Sequence, residues 1–118
     1  MSWTPEAVVL CGYRVSRDIW QKGFEYCEDN CESNPAIPED WEDYFIDMDN
    51  PGGNESETFF GSIIYTVPED GYTVEFDSIF THYETIIKVQ SAFKAIFSRF
   101  YKDAPLPSYR KYLGCRWV

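Results

Sequence analysis

Ile86, Val89, Phe93, Ile96, Phe97 and Phe100 recur at helical spacing, and that stripe limits the fold more than any other feature. It puts six large apolar side chains on one face of a helix, and such a face must be buried against another layer. Thr81-His82-Tyr83-Glu84 supplies the start, a capping box with Thr at the N-cap and Glu at N3. Asp103-Ala104-Pro105-Leu106-Pro107 supplies the stop near Lys102. A second helix is predicted from Arg17 to about Glu32, with Ser16 as N-cap. Its apolar face is Trp20, Phe24, Cys27 and Cys31.

The remaining apolar segments are short and read as strands. Ala7 to Val15 is β-branched and mostly apolar, the pattern of a buried strand. Pro38 to Glu42 reads as a turn or one helical turn. Asp43 to Asp49 alternates, with Tyr44, Ile46 and Met48 on one side and Asp43, Asp47 and Asp49 on the other, broken only by Phe45. Asn50 to Ser56 is a loop. Thr58 to Val67 and Tyr72 to Ile79 read as a hairpin joined by Pro68-Glu69-Asp70-Gly71. Tyr109 to Val118 is read as a last strand in preference to a short helix ended by Gly114. The order β-α-β-β-β-α-β predicts a single α+β domain over residues 1–118. Its mostly antiparallel sheet of four to five strands carries both helices on one face. The other face is then expected to be solvated and to present Asp47, Asp49, Glu75 and Asp77. Carboxylates on one face of a strand repeat about every 6.8 Å, of the order of the spacing of successive phosphates.

Charge separates along the chain. Of 118 residues, the 60 from Glu25 to Glu84 hold 17 Asp and Glu and no Lys or Arg. The first 24 residues are net +1 and the last 34 net +6, which leaves −10 overall. Concentrating like charge costs self-repulsion unless the fold disperses it or a partner neutralises it. It also argues against direct nucleic-acid binding, which needs a basic surface. The mixture of Tyr109, Arg110, Lys111, Tyr112 and Arg116 is a weak signal in the other direction. No apolar run reaches the 18 residues of a membrane span, and the first residues lack the basic start and apolar core of a secretory signal. A cytoplasmic protein without membrane attachment is expected, with Cys11, Cys27, Cys31 and Cys115 reduced.

Sequence chemistry points away from catalysis. Gly-rich phosphate loops, nucleophile elbows and HExxH are absent. His82, the only histidine, sits beside a helix cap. Asp47-Met48-Asp49-Asn50-Pro51-Gly52 begins like a calcium loop, but Pro51 and Thr58 occupy positions that need oxygen ligands and a bidentate Glu. Cys27 and Cys31, one helical turn apart, are candidate zinc ligands together with Cys11, Cys115 or His82. Packing in the core is the commoner role for such cysteines, and no cofactor is otherwise expected.

A non-enzymatic binder of a basic partner is therefore expected. Its contact residues would be Glu28, Asp29, Glu32, Glu39, Asp40, Glu42, Asp43, Asp47, Asp49, Glu75 and Asp77, with Trp41, Tyr44 and Phe45 as aromatic anchors. In size, in its signal-free start and in the acid pairs Glu28-Asp29, Glu39-Asp40 and Glu42-Asp43, the chain resembles small acidic inhibitors of phages and mobile elements. These are the anti-CRISPR and anti-restriction proteins. That resemblance implies inhibition of a Cas nuclease by blocking its access to target DNA or guide. An immunity protein or antitoxin against a nuclease toxin would use the same physics, and a small zinc-binding regulatory domain is the further alternative.

Overall fold

Val8 and Leu10 are fully buried on one side of strand β1 (Pro5–Arg14), while Tyr13 and Val15 are buried on the other. Burial on both sides explains the unbroken apolar run, since a half-exposed strand would alternate with polar residues. The computed structural model describes residues 5–48, 57–67 and 83–117. Its elements are β1, helix α1 (Arg17–Asn30), β2 (Phe45–Met48), β3 (Glu57–Val67), helix α2 (Tyr83–Phe97) and β4 (Arg110–Trp117). One 3-10 turn, Trp41–Tyr44, leads into β2, and another, Ser98–Phe100, ends α2.

Among the described residues the sheet has four strands in the order β2-β3-β1-β4, and every neighbouring pair is antiparallel. The fold is a small α+β fold, as the sequence pattern indicates. Where β1 crosses β3, Gly12 pairs with Gly61. A Cβ on Gly12 would lie 2.6 Å from the Gly61 Cα, and Gly12 has φ of +158°. Glycine at both positions lets the two backbones approach this closely.

Both helices pack on one face of the sheet. Cys27 of α1 and Val89, Ala92, Phe93, Ile96 and Phe97 of α2 close over Tyr13, Val15 and Phe60. The α2 stripe read from the sequence is thus the core face, although Ile86 and Phe100 are only half-buried. Aromatic rings fill this layer. Phe60 meets Tyr44, Phe45, Phe93 and Phe97 with centroids 5.1 to 6.0 Å apart, in the stacked and edge geometries rings prefer. Gly23 lets α1 settle on the Phe97 ring, which a Cβ there would strike.

The opposite face corrects the sequence reading. It is dry at its centre, where Val8, Leu10, Ile46, Met48 and Phe59 form a second apolar cluster against Ile63 and Tyr112. The error lies in the register of β2. Phe45 pairs with Phe60 and faces the helices, so Ile46 and Met48 face away and Asp47 turns toward α1. A shift of one residue exchanges the two faces of a strand. Strand β2 also begins two residues later than expected, because 41–44 closes as a 3-10 turn. The expected second hairpin strand (72–79), its turn, the loop 50–56 and the capping residues Thr81 and His82 lie outside the described residues. Among the described residues, no helix is long and apolar enough to cross a membrane.

Candidate functional site

The acidic segment is built as a rigid unit on the C-terminal half of α1. After Asn30 the chain doubles back. The Asn34 amide N–H donates to its O=C at 2.8 Å, and the Asn34 side chain donates to the Tyr26 hydroxyl at 3.0 Å. The Ala36 N–H donates to Asn34 Oδ1 at 3.0 Å, closing an Asx turn. From there Ile37, Trp41 and Tyr44 point inward at a spacing of four and three residues, each no more than 8% exposed. Trp41 packs edge-on against Phe24 of α1 at 5.0 Å. Those three anchors leave Glu39, Asp40, Glu42 and Asp43 facing outward.

On α1 the same logic exposes Glu25, Glu28 and Asp29, with Glu32 just beyond its end. None of these eight carboxylates forms an ion pair with a described base. No basic residue occupies the last turn of α1, so Glu28 and Asp29 lie against the negative end of the helix dipole. One nearby cation, Arg99, is already committed. The Arg99 guanidinium lies 3.6 Å from the Tyr26 ring centroid and donates to the carbonyls of Ala95 and Ile96 at 2.8 and 3.1 Å. It caps α2 and joins the helices without neutralising the acids.

Two acids near the sheet are paired. Asp47 meets Arg17 of α1 at 3.3 Å, and Glu57 meets Arg14 at 2.8 Å. Asp47 therefore sits at the start of α1 against a base, apart from any row of bare carboxylates. Trp41 and Tyr44 are core residues and Phe45 is half-buried, so the expected surface anchors are interior packing. Asp49, Glu75 and Asp77 lie outside the described residues.

The two cysteines diverge. Cys27 is fully buried, and Cys31, the C-cap of α1, is exposed rather than on the apolar face. Burial first, then the neighbouring Cys31, pushes the Cys27 thiol up to about 12, which keeps it protonated at neutral pH. A metal ligand would have to be the thiolate. Among the described residues, no group of three or more His, Cys, Asp or Glu converges as a metal site. The side chains of His82 and Cys115 lie outside the description.

A feature the sequence reading missed is a shallow groove of about 330 Å³ between the 36–44 segment and α2. Pro38, Asp40 and Tyr44 form one wall, and Ile87, Lys88 and Ser91 the other. Ile87 is 63% exposed. An isoleucine just off the Ile86 stripe was the available signal. Comparison with protein-family models, curated proteins and solved structures finds no match to this chain.

Proposed function

We propose that the protein is a non-enzymatic binder that docks its acidic end on the cationic nucleic-acid groove of a basic enzyme. The supporting observation is the contrast in pairing. Eight exposed carboxylates on a hydrogen-bonded frame form no ion pair with a described base, while Asp47 and Glu57 are paired. Unpaired charge on a preorganised frame loses little conformational entropy on binding. It also accelerates encounter with a basic surface. The partner class is a Cas nuclease, as the resemblance to anti-CRISPR proteins implies, with a nuclease toxin presenting the same kind of surface.

The test is direct binding to purified Cas nucleases and nuclease toxins over a range of salt, with duplex DNA as competitor. Binding should weaken steeply as salt rises and should be lost when DNA occupies the enzyme. Absence of binding to every such enzyme at low salt would overturn the reading.

A further inference from the structure

We propose that the groove between the 36–44 segment and α2 is a specificity pocket for a single arginine side chain of the basic partner. The proposal rests on the reading above and names the group that reading leaves open.

The groove combines an apolar wall with one carboxylate and one phenolic hydroxyl. Ile87 and Pro38 offer hydrocarbon, while Asp40 and Tyr44 offer oxygen. Tyr44 is 92% buried, since only 8% of it is exposed, and its ring stacks on Phe60 at 5.5 Å. Its hydroxyl has no protein hydrogen-bond partner among the described residues. The Asp40 carboxylate lines the same groove as that hydroxyl. A volume of about 330 Å³ is at the low end for a binding pocket, which suits one long side chain better than a larger ligand. Arginine fits this combination. Its stem is apolar, its guanidinium is weakly hydrated, and its planar fork can donate to a carboxylate and a hydroxyl together. An ammonium is a strongly hydrated point charge and gains less from the apolar wall.

Lys88 opposes this ligand. It lies on the far wall and makes no ion pair with Asp40 in this structure. An entering guanidinium must therefore displace a flexible like charge, so neutralising Lys88 should strengthen binding.

Three peptides test the proposal by NMR titration of the labelled protein: a glycine-spaced triple arginine, its lysine counterpart and its neutral citrulline counterpart. The arginine peptide should bind tightest and shift the amides of Ile87, Ser91 and Ala92. Asp40→Asn should weaken it about tenfold, the worth of one charge-assisted hydrogen bond. Ile87→Ser should weaken it several-fold and Lys88→Met should strengthen it. Asp40, Ile87 and Lys88 are all exposed, so these variants should keep the parent melting temperature. Equal binding of arginine and lysine peptides, sensitive to Glu28→Gln, Asp29→Asn and Glu32→Gln but not to Asp40→Asn, would overturn the pocket and leave the acidic-end reading intact. No binding of either cationic peptide at low salt would remove both.

Discussion

The sheet and the acidic end of α1 treat their polar groups in opposite ways. Near the sheet two exposed acids have partners: Arg17 holds Asp47, and Arg14 holds Glu57 while its guanidinium lies over the rings of Phe59 and Tyr112. The buried polar residue Thr58 is bonded too: its hydroxyl donates to the Val15 carbonyl at 2.6 Å. At the acidic end the backbone is just as well bonded, but the carboxylates are left bare. The difference teaches that the negative charge is not a uniform solubility coat. The fold neutralises acids in one region and positions them without bases in another.

That contrast can be tested by substitution. The largest effect belongs to the sheet. Phe60 is fully buried at the meeting point of β3, β2 and both helices, and Phe60→Ala should cost about 3–5 kcal/mol in chemical denaturation. A loss well under 1 kcal/mol would mean that the aromatic layer is not where the stability resides.

Neutralising the acidic end should act in the other direction. The triple variant Glu28→Gln, Asp29→Asn, Glu32→Gln removes repulsion and an unfavourable interaction with the α1 dipole. It should raise stability by about 1 kcal/mol at low ionic strength, with the gain fading as salt is added. The same variant should weaken binding to a basic nuclease. A stabilised variant that binds less well would be the mark of charge kept for recognition at a cost in stability.

The smallest effect is expected at Asp47. Its pair with Arg17 is more than 40% exposed on both sides, so Asp47→Asn should lose no more than about 0.5 kcal/mol. It should leave nuclease binding unchanged. A large loss of binding from Asp47→Asn, with the acidic-end triple variant behaving as wild type, would invert the assignment of the two regions.

Much of the fold was legible because periodicity reports burial directly. The α2 stripe, the α1 start at Ser16 and the strand character of 7–15 and 58–67 follow from patterns of 3.6 and 2, whereas the last strand, Arg110–Trp117, carried no such pattern. What failed was the face of β2. Phe45 looked like an interruption, yet it is the residue that sets the register, by pairing with Phe60. Strand-to-strand register depends on a partner distant in sequence, and alternation within four residues cannot reveal it. The acidic end was legible as composition but not as architecture. Nothing in Glu39-Asp40-Trp41-Glu42-Asp43 distinguishes a tryptophan offered to a partner from one that pins a turn to Phe24. The groove beside α2 was hidden for the same reason, since its walls come from residues 36–44 and 87–92.

The position of β1 also governs when the molecule can form. It is the first described strand to leave the ribosome, yet its neighbours are β3, some 50 residues later, and β4, whose last paired residue is Trp117. The central strand therefore keeps one hydrogen-bonding edge open until β3 is made, and the other until nearly the whole described chain has been synthesised. Slow closure of such distant pairs is expected. Through that interval the apolar run Val8-Val9-Leu10 is a site for pairing with other nascent chains. The repulsion of a strongly acidic neighbouring segment, costly in the finished fold, helps keep those chains apart.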